Sequence, residues 1–215
     1  MKHNLKKNEI LKIISEIKFS AKRDIEPIIQ CYRDKSNWID SQQPGFWTLP
    51  RMIFPEIDGL ARLRYGRVND EGSTKDSVRF MEEYFSRPEY KKISGFLWYI
   101  FRLGLLHSHY PKEINILGKN RGWGISFRLT GKEVSMHLKF FNPINKTNLI
   151  LDGEDFYNDF VHAIDLYLLD FQKIDKEKEL MDNFSVAYVS MIFPRSEMEL
   201  KRKSFLKNLD SNFFS

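Results

Sequence analysis

The hydrophobic period of this chain changes twice, and that limits the folds open to it. Up to about residue 111, apolar residues recur at three- and four-residue spacing. Between 123 and 140 they alternate strictly, and from 152 the helical spacing returns. The order predicts a mainly α (α+β) protein in which a small antiparallel β element is inserted before the last long helix. With 215 residues, 42% of them apolar, the chain is long enough for one domain with a sizeable core.

Residues 5–33 read as a long helix with Leu5, Ile10, Ile13, Ile14, Ile17, Ile25, Ile28 and Ile29 apolar. Its basic face, Lys6, Lys7, Lys12, Lys18, Lys22 and Arg23, is open either to phosphate or simply to solvent. Residues 34–50 read as a loop, pinned by Trp38, Phe46 and Trp47. A second helix, Arg51–Tyr65, ends at Gly66, where a left-handed cap is common. Ser73, with Asp76 as a capping partner, starts a third that Pro88 ends. A fourth runs from about Lys91 to His107 and is stopped by Pro111.

The alternation Trp123, Ile125, Phe127, Leu129 and then Val134, Met136, Leu138, Phe140 surrounds Gly131-Lys132. It predicts an antiparallel hairpin with Ser135, His137 and Lys139 on its polar side. Ile114–Leu117 and Asn148–Leu151 are expected as short flanking strands, and Asn120-Arg121-Gly122 as a turn. Asp152 and Asp155 resemble a capping pair for a helix striped with Phe156, Phe160, Ala163, Ile164, Tyr167, Leu168 and Phe171. A basic tail follows, with a short final helix near Glu197–Leu209. The organisation expected is a single domain, 1–215. Its helical core covers about 5–111 and 152–175, its β element 113–151 and its tail 176–215.

Chemistry is narrowed by what is scarce. The one cysteine, Cys31, permits no internal disulfide and reads as a half-buried helix residue. The five histidines show no metal-ligand spacing, Asp152, Glu154 and Asp155 read as a helix start, and neither a metal nor a cofactor is expected. His162 reads as a surface or core-edge residue. Gly122-Trp123-Gly124 lacks the strand–turn–helix setting of a phosphate loop. The most apolar run, Ile93–Leu106, carries Arg102 and is too short to span a bilayer. No signal peptide is evident, so no membrane partner and a cytoplasmic location are expected. The net charge of +5 favours an anionic partner such as RNA.

One segment stands apart: Phe101-Arg102-Leu103-Gly104-Leu105-Leu106-His107-Ser108-His109-Tyr110-Pro111. An arginine inside an apolar helix is costly unless something satisfies it. Pairing with Glu83 or Asp58, with His107 as a C-terminal cap, would make it structural. The other reading is a phosphate held by Arg102 and a proton moved by His107 or His109, which suits RNA strand transfer from the ribose 2′-OH without a metal. Arg102 and His109, seven apart, share a helical stripe. Arg102 and His107, five apart, converge only through the long arginine, a helix distortion or a second subunit.

Arg102 and His107, with four residues between them at a helix end, resemble the Arg-x4–6-His signature of the HEPN family, and His109 fits the looser spacing. The resemblance covers residues 51–111. It implies a helical bundle that dimerises and brings two Arg/His pairs into one cleft. Active members are metal-independent endoribonucleases of toxin–antitoxin and defence systems, and inactive ones are binding or regulatory modules. The resemblance implies Arg102 and His107 as catalytic residues, with a homodimer, RNA and an antitoxin or other protein as partners. Leu103 departs from the polar residue that often follows the arginine in active members. Three readings stand: a HEPN-like endoribonuclease, a silent HEPN-like module binding RNA, a nucleotide or a protein, and a structural or regulatory helical protein.

Overall fold

Helix α1, Lys7–Asp34, follows from its isoleucines: Ile10, Ile14, Ala21, Ile25 and Ile29 recur near the helical period and all are buried. Pro27 lies inside it at an exposed position, and its missing N–H removes one hydrogen bond from the helix ladder. The computed structural model describes residues 5–34, 47–69, 71–105, 113–116, 119–126, 137–141 and 147–192. Lys7, Lys12, Lys18, Lys22 and Arg23 of α1 each have a carboxylate partner, so its basic face is largely neutralised locally.

The centre of the helical layer is α2, Thr48–Tyr65, which packs against α3, Ser73–Tyr84, and against α5, Gly153–Asp170, and α6, Ile174–Ile192. As expected, Gly66 closes α2 in the left-handed region, with φ of 69°. The predicted Ser73–Asp76 cap does not form: Gly72 is the N-cap and makes no side-chain cap bond. Ser73 instead donates to Asp58 of α2. Helix α4, Tyr90–Leu97, follows Pro88 and continues into a π-helical segment, Trp98–Leu103. The rings of Trp98 and Phe101 and that of Phe156 from α5 meet on Phe54 of α2, at centroid distances of 5.7, 6.3 and 5.1 Å.

The protein is mainly α with a small β element, but the pairing differs from the expected hairpin. The four strands are β1 (Ile114–Ile116), β2 (Lys119–Ser126), β3 (Phe140–Phe141) and β4 (Thr147–Asp152), in the order β1-β2-β4-β3. The central pair, β2 and β4, is parallel, with Trp123 opposite Leu149 and Ile125 opposite Leu151; only the edge pairs are antiparallel. Alternation identifies which face of a strand is buried, not which strand lies beside it, and both arrangements read alike in sequence. The expected flanking strand at 148–151 is therefore central. The turn expected at Asn120-Arg121-Gly122 is part of β2. The proposed turn at Gly131-Lys132 and the tail helix at 197–209 lie outside the described residues.

Asp152 caps α5 as the sequence indicated, accepting from the backbone N–H groups of Glu154 and Asp155. The helical core does not stop near 175. Helix α6 buries Leu180, Phe184 and Ala187, where the sequence reading placed a charged tail. Cys31 is exposed rather than half-buried.

Arg64 fastens this end of the layer. Its guanidinium donates to the Tyr84 hydroxyl at 2.7 Å, to Glu83 at 3.0 Å and to Glu179 at 3.1 Å, and Tyr84 in turn donates to Asp170. Burial pushes the Glu83 carboxyl up, but the Arg64 charge and the hydrogen bonds from Tyr65 and Arg64 outweigh it and hold the group below the usual carboxylate range. Asp170 behaves likewise: burial opposes, while hydrogen bonds from Lys173, Lys176 and Tyr84 prevail.

Both carboxyls therefore titrate lower in the folded chain than in the unfolded one. Their contribution is present above the unfolded value of about 4 and is lost as pH falls through the folded value. Urea midpoints should drop below pH 4, and Glu83→Gln should flatten that drop; an unchanged acid limb would show that Arg64 does not depend on Glu83. Two glycines should respond oppositely. Gly66→Ala forces a side chain into a positive-φ position, its Cβ 2.9 Å from Asn183 Oδ1, and should cost about 1–2 kcal/mol. Gly95→Ala, in helix α4 with open space around it, should stabilise by about 0.5–1 kcal/mol. Urea titration of both variants checks the pair.

Candidate functional site

Arg102 stands on the π-helical segment, near its end. Hydrogen bonds spaced five residues apart widen that turn and shift the phase of everything after it. Such turns occur mostly as local departures within α-helices, frequently at functional sites. A helix distortion was one of the routes by which Arg102 and His107 were expected to converge. Nothing in the apolar spacing of Trp98–Leu103 signals the wider turn, since a helical stripe reads alike with either hydrogen-bond pattern.

The surroundings of Arg102 satisfy it only in part. One terminal nitrogen lies 3.7 Å from Asp58 Oδ2, close enough for charge attraction but beyond hydrogen-bond reach. The guanidinium carbon sits 5.4 Å from the centroid of the Trp98 ring, a cation–π contact. Its Nε is buried without a hydrogen-bond partner, and the side chain keeps 21% of its surface exposed. Of the two carboxylates that the sequence offers as structural partners, Asp58 is the one in place. Glu83 is taken by Arg64 and Tyr65. His107 and His109 lie outside the described residues, and Leu103 ends the π segment half-buried.

Asp58 is heavily used. Its Oδ1 accepts from Arg67 at 2.7 Å, from Ser73 at 2.8 Å and from Ser77 at 3.0 Å, leaving Oδ2 toward Arg102. Arg67 is itself buried and also faces Asp76 at 3.2 Å. The carboxylate thus joins α2 to α3 and to the π segment.

A second polar centre escaped the sequence reading, which put His137 on the solvent side of a hairpin. The His137 side chain is wholly buried. Its Nδ1 accepts from the backbone N–H of Asp152 at 3.0 Å, so the ring proton resides on Nε2. That nitrogen lies 3.0 Å from the Tyr90 hydroxyl and 3.3 Å from Asp159 Oδ2. Arg87 donates to Asp159 at 2.7 Å and faces Asp155 at 3.3 Å. Burial and the Asp159 charge push the Tyr90 phenol well above its ordinary value, so it remains a neutral donor. With no exposed side-chain surface, His137 offers nothing to a ligand, and the cluster ties β4 and α5 to α4. Only a pairing between distant segments places His137 there, and local alternation carries no signal of it.

Elsewhere, a groove of about 490 Å³ between α1 and α5 is lined by both signs of charge, among them Lys22, Arg23, Glu26 and Glu154, and contains none of the candidate residues. Asp152 and Asp155 serve the α5 cap and Arg87, and His162 is exposed. Among the described residues, no group of three or more His, Cys, Asp and Glu is arranged to hold a metal, and no helix is long and apolar enough to cross a membrane. Comparison with known proteins adds no relative: no family model, no curated protein and no solved structure matches the chain.

The anchoring role of Asp58 is measurable. Asp58→Ala leaves buried Arg67 and half-buried Arg102 short of a counter-charge and should destabilise by about 3 kcal/mol, against about 1 kcal/mol for Ser73→Ala, which removes a single hydrogen bond. Equal urea midpoints for the two variants would show that Asp58 anchors nothing.

Proposed function

We propose that the protein is a HEPN-like, metal-independent endoribonuclease of the toxin type, with Arg102 as the phosphate-holding group and His107 as the acid/base. The observation that carries this reading is the π-helical turn bearing an arginine whose donors are not used up. A guanidinium has five N–H groups in a planar fork, and a single carboxylate oxygen at 3.7 Å engages none of them fully. A phosphodiester would accept two at once, in a charge-assisted pair that strengthens as charge develops on phosphorus.

The reaction follows from those roles. His107 takes the proton of a ribose 2′-OH, and the 2′ oxygen bonds to the adjacent phosphorus. The bond to the 5′ oxygen then breaks, and that oxygen leaves with the proton that His107 took up, returned directly or through water. A 2′,3′-cyclic phosphate and a 5′-hydroxyl result, and DNA, lacking the nucleophile, is not cut. His109, which fits the looser spacing of the signature, stands in reserve. The family pattern supplies the assembly, a homodimer whose two Arg/His pairs share a cleft, with an antitoxin as the expected protein partner.

A second reading is favoured by Asp58 itself. The ion pair to Arg102 and the apolar Leu103 suit a module that binds RNA or a partner without cutting it, the arginine tying the π segment to α2.

Incubation of the purified protein in EDTA with total tRNA and a generic single-stranded RNA separates the two. Cleavage leaving 2′,3′-cyclic phosphate ends, reduced at least about 100-fold in folded Arg102→Ala and His107→Ala, is the expected result. Growth arrest on expression, relieved by either substitution, should accompany it. An intact RNA pool with folded wild type would leave the binding module standing.

A further inference from the structure

Helix α2 carries more than Asp58 on the face it turns to the π segment. Trp47, whose carbonyl accepts the first hydrogen bond of α2, lies eleven residues before Asp58, three helical turns away and on the same stripe. Phe54, between them on that stripe, rests on Trp98 and Phe101 and fixes its direction. At about 1.5 Å per residue the two ends are about 16 Å apart. At the Trp47 end the ring meets Trp123 of β2 edge to face, with centroids 4.6 Å apart and planes at 78°.

Trp123 is only partly buried, although its cross-strand partner Leu149 is fully so. Arg121, two residues earlier on the same face of β2, is half-exposed and has no ion pair among the described residues. The strand is well fixed beneath them. Ile150 crosses so closely over Gly124 that a Cβ there would stand 2.6 Å from its Cδ1. Here a rigid aromatic ring of β2, a second ring bracing it and a cation gather at the end of α2 opposite Asp58, the stripe between the two ends being buried at Phe54.

We propose that Trp123, braced by Trp47 and accompanied by Arg121, is a stacking subsite for single-stranded RNA, placed a few nucleotides from the phosphate held at Arg102. Stacking on an indole needs an unstacked base, which a single strand offers and a duplex withholds. The cation beside the ring takes the adjoining phosphate, and the excess of positive charge on the chain favours the same ligand. The assignment to RNA rests on the strand-cleavage reading; the stacking site itself does not require that anything be cut.

A 2′-O-methyl oligouridylate of about ten nucleotides separates the two, because it keeps base, phosphate and charge but cannot be cleaved by 2′-OH attack. Its binding to the full-length protein is followed by fluorescence anisotropy and by quenching of tryptophan emission, beside the same strand annealed to its complement. The single strand should bind more tightly than the duplex. Trp123→Leu, which keeps an apolar side chain on β2, should weaken the single strand about tenfold and leave the duplex unchanged. Arg121→Ala should lower the salt dependence by about one phosphate contact.

The subsite is overturned if folded Trp123→Leu and Arg121→Ala bind the single strand as the wild type does, or if the wild type prefers the duplex or binds neither. If Trp123→Leu does not fold, the Arg121→Ala titration and the single-strand preference of the wild type still decide. Tryptophan-dependent binding without cleavage of unmodified RNA would uphold this site while removing the nuclease reading. Cleavage indifferent to both substitutions would do the reverse.

Discussion

A single carboxylate, Asp58, ties α2 both to α3 and to the π segment, adding direction to the apolar packing between them. Burying a guanidinium without a counter-charge is prohibitive, and Arg67 is buried. Asp58 answers that charge on one oxygen and gathers two serine hydroxyls of α3 on the same atom. Its other oxygen is thereby fixed toward the π segment. The position of Arg102 depends on this chain of contacts rather than on its own helix alone.

Two further polar nodes brace other corners of the fold. Arg64 joins α2 to α3 and α6 through Tyr84, Glu83 and Glu179, and Tyr84 carries the connection to Asp170 of α5. His137, Tyr90, Asp159 and Arg87 join β4 to α4 and α5. Aromatic packing around Phe54 supplies a non-directional core between these nodes. Hydrophobic burial tolerates small rotations of a helix, whereas a shared carboxylate or a histidine accepting a backbone N–H does not. The directional contacts therefore set the registers that the core leaves loose.

This division explains what the sequence disclosed. The isoleucines of α1, the Gly66 cap and the Asp152 cap are set by neighbours within a turn or two, and each was readable. The need of Arg102 for a partner is legible too, with Asp58 among the carboxylates on offer, because an apolar helix makes the requirement plain. The parallel pairing of β2 with β4 was not readable, since alternation is blind to strand direction. The burial of His137 comes from the stretch before β3 lying against the other edge of β4, where Leu138 donates to the Ile150 carbonyl and the Asp152 N–H to the His137 ring, and it was not readable either. Helix α6 is a different case: Leu180, Phe184 and Ala187 recur at helical spacing, and the signal was present under the charges of its first turns.

Among these arginines the degree of satisfaction is the informative quantity. Arg64 and Arg67 are each about nine-tenths buried or more, and each makes hydrogen bonds of 2.7 Å to a fixed acceptor. Such groups hold a fold together and have little left to offer a ligand. Arg102 resides on a distorted turn, is more exposed than either and lies too far from Asp58 for a hydrogen bond; its Nε is buried without a hydrogen bond, a feature it shares with Arg67. If its task were only to tie the π segment to α2, closing the last ångström to Asp58 would cost little for a side chain so flexible. An anion at the exposed part of the guanidinium would leave the Asp58 cluster undisturbed, because the three bonds on Oδ1 do not involve Arg102. What sets Arg102 apart from Arg64 and Arg67 is its exposure and the absence of a close carboxylate oxygen.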